Sequence, residues 1–324
     1  FFIAMYESFL EFINELSRND EIRNTPGFLG QLFYCIKRSF KQKYVRFGAF
    51  FGQMLIHLGV ALVVSSASTD LEYVGPLPDV ICATVTRDLY AQCTSPLSDS
   101  YQGTGNFLIF GMIFAAISIS TGTFGNEQVN YWRESAAGLK TIPYFIAKWI
   151  MEIPNIVIAA LFFWLAFRIR FPNTDSSDDL YTLFFAMYWW CWSLGFLLSA
   201  IASPKNVFLL GVVAALLLAV GFSGQNPTIN QIQDLPAGIR WVWRISGTRW
   251  ALEAFYVSQV KYYEKVPSGP LKDEPYMNID AGLDLIGYNI DYFNYCIRAL
   301  MWNGFGYAIF AMIIMKFSNR DKKK

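Results

Sequence analysis

A single histidine among 324 residues, His57, removes most of the chemistry that a chain of this length could otherwise carry. No cluster of imidazoles exists to hold a metal, so no metal site is expected, and a Ser-His-Asp triad could be built only around that one residue. Cysteine is also scarce. Cys35, Cys82, Cys93, Cys191 and Cys296 are too few and too scattered for a disulfide scaffold, and none shows C-x-x-C metal spacing. Charged residues make up only 16% and balance to a net charge of +1, which excludes the basic face that a nucleic-acid partner requires. The pattern G-x-x-x-x-G-K-[ST] is missing, so the chain has no phosphate-cradling loop and is not expected to hydrolyse ATP by itself. Asn-x-Ser/Thr sequons and a cleavable signal pattern are missing too. A start at Phe1 rather than Met reads as a piece of a longer polypeptide.

What the chain has instead is apolar surface. Hydrophobic residues reach 54% and aromatics 18%, above the averages of soluble domains, which predicts a membrane protein. Six apolar runs, about 47–67, 106–123, 142–168, 181–202, 206–223 and 296–317, each approach the ~20 residues that cross ~30 Å of hydrocarbon as a helix. The fold class expected is all-α, a polytopic membrane protein of six transmembrane helices. Six spans put both termini on one side. The basic residues of the N-terminal tail, Arg133 and Lys140, Lys205, and the cluster from Lys316 onward all fall on that side. The short loops opposite carry only Arg87, Arg168 and Arg170. The termini are therefore expected to be cytosolic, in a plasma membrane or an internal one.

Before the first span, residues 1–16 are amphipathic, with Glu7, Glu11 and Glu15 stacked on one helix face, and a polar linker follows to Thr25. From Pro26 to Arg46, Phe28, Leu29, Leu32, Phe33, Ile36 and Phe40 are interleaved with Lys37, Arg38, Lys41, Lys43 and Arg46. This basic amphipathic helix is expected in the membrane interface, apolar side in the acyl boundary and cations among lipid headgroups. The outer loop 68–105 holds Cys82 and Cys93, which could form a disulfide in an oxidising compartment. Segment 224–295 is too polar to be membrane throughout. Its portion from Arg240 to Val260, rich in Trp and Tyr, predicts a re-entrant or interfacial helical pair forming an outer cap.

The most distinctive stretch, Gly125 to Pro154, is polar, charged and aromatic, and runs without a break into the third span. Mixed charge suits packing against a protein partner better than binding nucleic acid. One reading is a solvated loop; the other is that Glu127, Arg133, Glu134, Lys148 and Glu152 form a network tying the loop to the spans. Lys148 and Glu152, four residues apart, are placed to neutralise one another as the helix enters the bilayer. His57 reads as a helix-packing histidine hydrogen-bonded to a neighbour.

In this stretch Glu127, with Gln128 in place of an expected Arg, is followed by Arg133-Glu134, Gly138, Tyr144, Ala147-Lys148 and Glu152-Ile153-Pro154. Downstream, Phe222-Ser223-Gly224 precedes Trp241, Trp243, Ile245-Ser246 and Arg249-Trp250-Ala251-Leu252-Glu253-Ala254. These ordered motifs resemble the G subfamily of ABC transporters, the White-type half-transporters, over nearly the whole chain from Pro26. The resemblance implies an elbow helix at Pro26–Arg46 and a transmembrane domain over 26–324, with residues 1–25 leading from an ATP-binding domain. ATP and Mg would reside in that nucleotide-binding domain; nothing like the L-S-G-G signature occurs in this chain. It also implies a homo- or heterodimer that exports a hydrophobic or amphipathic substrate, of lipid, sterol or xenobiotic class. Force would pass through a coupling loop containing Glu127, Arg133, Glu134, Gly138, Lys148 and Glu152. On this reading, Arg133→Ala or Glu134→Ala should leave ATP binding intact and lower transport. Carried over by register, the substrate cavity would be lined by Met112, Ala115 and Ala116 on the second span and Val213, Leu217 and Val220 on the fifth, with Gln225 and Asn226 at an outer gate. Ala115 and Gln225-Asn226 depart from the aromatic clamp and apolar plug of some relatives. An ATP-independent carrier or channel is the alternative, but it calls for internal repeats, broken midplane helices or buried charges along a path, and none is evident.

Overall fold

The computed structural model describes residues 25–44, 47–67, 100–170, 177–203, 205–265 and 279–317, and no strand occurs among them. The acidic helix at 1–16, the linker up to residue 24 and the pair Cys82 and Cys93 lie outside the described residues.

The helices are α1 (Phe28–Tyr44), α2 (Phe47–Ser66), α3 (Ser100–Ser120), α4 (Gly122–Gly125), α5 (Gln128–Ala136) and α6 (Thr141–Arg170). They continue with α7 (Ser177–Ile201), α8 (Val207–Leu216), α9 (Ile229–Gln233), α10 (Ala237–Ile245), α11 (Gly247–Lys265), α12 (Ile279–Ile286) and α13 (Phe293–Phe317). Each of the six apolar runs falls on a helix. Four helical stretches are long and apolar enough to cross a membrane: Tyr101–Ala136, Thr141–Ile169, Asp179–Ile201 and Ile290–Phe317. The other two runs form shorter apolar helices, Phe50–Ser66 and Val207–Gly221. This is an all-helical integral membrane protein.

Helix α7 is the pillar of the bundle. Every side chain from Ala186 to Leu194 is buried, including Trp189, Trp190 and Trp192, and a helix that is apolar all round can only sit at the centre. Helices α3, α6 and α13 pack around it. Between apolar helices in lipid, close contact replaces the hydrophobic effect as the driving force, so small residues mark the crossings. At Gly195 a Cβ would lie 1.8 Å from Ser120 Oγ, which shows how nearly α3 and α7 touch.

Helix α8 ends in a π-helical turn, Leu217–Gly221, whose loosened hydrogen bonding leaves carbonyls to satisfy. Thr248 Oγ1 sits 2.8 Å from Leu218 O and 3.1 Å from Phe222 O, so its hydroxyl serves that function. The expected helical pair is present as α10 and α11, divided at Ser246. The second helix is not a surface cap: Trp250 to Val257 are almost entirely buried against α3 and α13.

Helix α1 departs from the expectation at two of its cations: Lys37 and Lys41 are exposed, but Arg38 and Lys43 turn toward the bundle. Its protein-facing positions are polar, with Gln31 and Ser39 buried beside Cys35, whereas Leu29, Phe33 and Phe40 are 76%, 70% and 58% exposed. Leu32 and Ile36 are half-buried against the bundle. The polar stripe thus faces protein and the apolar stripe faces outward, the arrangement expected where the surroundings are acyl chains.

Candidate coupling site

The segment between α3 and α6 folds into two short helices and a tight turn. Helix α5 ends in a Schellman motif: Leu139 N–H donates to Glu134 O at 2.9 Å and Gly138 N–H to Ser135 O at 3.0 Å. Gly138 has φ +108°, and a Cβ there would also lie 2.7 Å from Thr25 Cγ2, so both backbone and space demand glycine. The turn is clasped by α1. Gln31 donates from Nε2 to Gly138 O at 3.3 Å and to Pro26 O at 3.0 Å, while its Oε1 accepts from Lys140 N–H at 2.9 Å.

Two carboxylates organise the charges. Glu127 accepts from Lys148 Nζ at 2.8 Å, lies 3.7 Å from an Arg38 nitrogen, and accepts from Tyr144 OH at 3.4 Å. Arg38 also pairs with Glu134, so one guanidinium joins α1 to the loop before α5 and to α5 itself. Burial opposes the Arg38 charge, but its bond to Glu134 and the charges of Glu134 and Glu127 more than offset this and raise its pKa above the ordinary value. Arg38 and Lys148 both lie near the Tyr144 ring, 5.8 Å and 6.0 Å from its centroid. Tyr144 in turn stacks on Tyr131 of α5 with centroids 4.8 Å apart.

Glu152, the deeper carboxylate, forms an ion pair with Lys43 near the end of α1. It also accepts from Thr123 Oγ1 at 3.0 Å, Asn155 Nδ2 at 2.7 Å and Trp192 Nε1 at 3.1 Å. Burial holds the Lys43 ammonium below the usual lysine range although Glu152 pulls it upward. The Trp192 indole stacks at 5.7 Å on His57, whose Nδ1 is 2.8 Å from Tyr188 OH. A polar chain therefore runs from α1 through Glu152 into the pillar and across to α2.

Lys148 and Glu152 do not neutralise one another, contrary to the spacing argument. Lys148 reaches back to Glu127 and Glu152 is taken by Lys43, because α1 packs along α6 and supplies a closer cation. Glu127, Glu134, Lys148 and Glu152 are brought together, with Gly138 at the turn. Arg133 is exposed on α5 and makes no ion pair among the described residues. Sequence reasoning missed Gln31, Arg38 and Lys43. Their signal is polar residues at helical spacing on one α1 face, Gln31, Arg38 and Lys43, of which the pattern sends the two cations to lipid headgroups.

With these motifs seated in one junction, comparison with known proteins is direct. Residues 101–321 match the family described as ABC-2 type transporter. The chain belongs to that family. Several relatives are named as ABC transporter G family members, and it is a G-subfamily ABC transmembrane domain. It is 27% identical to ABC transporter G family member 28 of Arabidopsis thaliana, covering 56% of this chain and 15% of that protein. It is 25% identical to ABC transporter G family member 1 of Dictyostelium discoideum over 69% of this chain and 29% of that protein. It is 30% identical to the ABC-type transporter claG of Penicillium crustosum over 41% and 17% respectively. The chain therefore spans less than a third of each of these relatives.

In this ABC-2 domain Val213, Leu217 and Val220 project from α8 with 44%, 58% and 65% exposure, whereas Met112, Ala115 and Ala116 are fully buried. The exposed face of α3 instead carries Phe107 and Phe114, with Phe110 in ring contact with Phe114 at 6.4 Å between centroids. Met112, Ala115 and Ala116 therefore do not lie on the exposed face of α3, and an aromatic residue, Phe114, stands one position before Ala115. At the end of the bundle away from the coupling junction, Gln225 accepts from Asn106 Nδ2 at 2.8 Å, while Asn226 is exposed.

Proposed function

We propose that this domain is the membrane-spanning half of an ATP-driven exporter that works as a dimer on a hydrophobic or amphipathic substrate. ATP, with Mg, binds in a separate nucleotide-binding domain on the cytosolic side, and α5 receives its movement. The observation that carries the reading is the double clasp of α1 on the loop and on α6, through Gln31 and Arg38 at one level and Lys43 at the next. Charged groups held in a packed junction move together, so a displacement of α5 is transmitted to α1 and α6 as a rigid-body shift. The unpartnered apolar face of α8, with Leu209, Leu217 and Val220, supports a second transmembrane domain opposite it. Phe107 and Phe114 on the neighbouring α3 are then the aromatic groups offered to substrate.

Two measurements test this reading. In the full-length protein reconstituted in liposomes, Arg38→Ala and Glu134→Ala should bind ATP as the parent does while substrate-stimulated hydrolysis falls several-fold; Arg133→Ala should have the smaller effect. Equal stimulation in all three would remove the coupling role. A thiol placed at exposed Asn130, in a protein with Cys82 and Cys93 replaced by Ser, should resist membrane-impermeant maleimide in intact cells. Labelling from outside would reverse the topology and end the exporter reading.

A further inference from the structure

Beside the coupling junction, between α1, α2, the α3–α4 corner and α6, lies an open cleft of about 710 Å³. Arg38, Lys41, Lys43 and Lys148 line it, opposed by Glu127 and Glu152. Both carboxylates are already engaged, Glu127 by Lys148 and Arg38 and Glu152 by Lys43 and three neutral donors. Lys41 is exposed and forms no ion pair among the described residues. Even with Glu134 counted against Arg38, the cations outnumber the carboxylates, so the local field favours an anion.

A second observation is independent of charge. Ser39 is only 4% exposed, lines the same cleft, and its Oγ has no hydrogen-bond partner. The Arg38 Nε is buried without an acceptor as well. Buried donors left without acceptors are uncommon and call for an explanation, here a ligand oxygen. Helix α1, which lines the cleft, turns Leu29, Phe33 and Phe40 outward, an apolar stripe suited to acyl chains.

We propose that the cleft binds the phosphate-bearing headgroup of an anionic phospholipid, held by Lys41 and the Ser39 hydroxyl within the field of Arg38 and Lys43. Basic recesses between membrane helices at the cytoplasmic boundary are suited to such headgroups, and the volume lies within the range of small-ligand sites. A bound anion would also relieve Lys43, whose charge burial disfavours. Lipid occupancy would then brace α1 against α6 and tune the junction by the composition of the inner leaflet. The proposal rests on the junction facing the cytosolic leaflet, a sidedness that the thiol-labelling experiment examines separately.

The test uses purified full-length protein in detergent, titrated with dioctanoyl phosphatidic acid, dioctanoyl phosphatidylcholine or inorganic phosphate and read by thermophoresis. Phosphatidic acid should bind at least tenfold more tightly than phosphatidylcholine. Lys41→Gln should weaken it about fivefold. Ser39→Ala should weaken it about threefold or more without lowering the lipid-free unfolding temperature, because removing an unpartnered hydroxyl costs the fold nothing. Equal affinity for the two lipids, or parent-like affinity in both variants, overturns the proposal. Displacement by inorganic phosphate at the lipid's own concentration overturns it in favour of a free anion. The assay reads no transport, so its failure leaves the exporter reading standing.

Discussion

Glu152→Ala is the most informative single change, because Glu152 is the acceptor on which three elements converge. Its side chain is 7% exposed and that of Lys43 19%. Deleting one partner of a buried ion pair costs about 3–5 kcal/mol. Lys43 can lean toward water along the cleft, so the lower end, about 3 kcal/mol, applies to the pair. The donors of Thr123, Asn155 and Trp192 lose their acceptor at the same time and together add about 1 kcal/mol after relaxation. About 4 kcal/mol at roughly 2 °C per kcal/mol is a fall of about 8 °C in unfolding midpoint. Scanning fluorimetry on the full-length protein in detergent measures it. Glu152→Gln, which keeps an oxygen for Trp192 and loses only the charge, should fall about half as far. Lys43→Met combined with Glu152→Ala should cost at least about 1 kcal/mol less than the sum of the two. A midpoint for Glu152→Ala within about 2 °C of the parent, or strictly additive costs, would show that the junction does not bear on the fold.

Three further outcomes are expected. Burial holds Lys43 below the ordinary lysine value of 10.5, so the folded state binds fewer protons than the unfolded one, and the Lys43 contribution to stability rises with pH from its lowered value up to 10.5. Lys43→Met should flatten that part of the stability–pH curve; an unaltered slope refutes the assignment. Gly138→Ala forces an L-residue to φ +108° and into Thr25. It should cost about 1–3 kcal/mol and speed amide exchange at Leu139, and parent-like exchange there would count against the Schellman turn. Gly195→Ala places a methyl 1.8 Å from Ser120 Oγ, which drives α3 from α7 and should lower the midpoint by several degrees, whereas a neutral result would place the two helices further apart.

The coupling junction shows where reading by spacing succeeds and where it stops. Glu127, Glu134, Lys148 and Glu152 were recognisable because a charged residue beside an apolar run has few tolerable environments, and each had to be paired or at the boundary; Gly138 came only with the order of the motifs. Their partners were another matter. Lys148 and Glu152 are one helical turn apart, so local geometry assigned them to each other; α1, more than a hundred residues upstream, supplies Lys43 and releases Lys148 to Glu127. On α3 the apolar character of every position made the inward and outward faces indistinguishable, and only packing revealed that Met112 and Ala116 face the bundle and Phe114 the outside.

Composition and run length by themselves determined a helical membrane protein, since unbroken apolar runs of ~20 residues match the length of a spanning helix and not the shorter strands of a barrel, and the order of motifs determined its family. Tertiary structure alone decided the pairing of charges, the turning of Arg38 and Lys43 of α1 toward protein, and the burial of α11. A stripe of polar residues is compatible with water, headgroups or protein, and which it meets depends on what the distant parts of the chain place beside it.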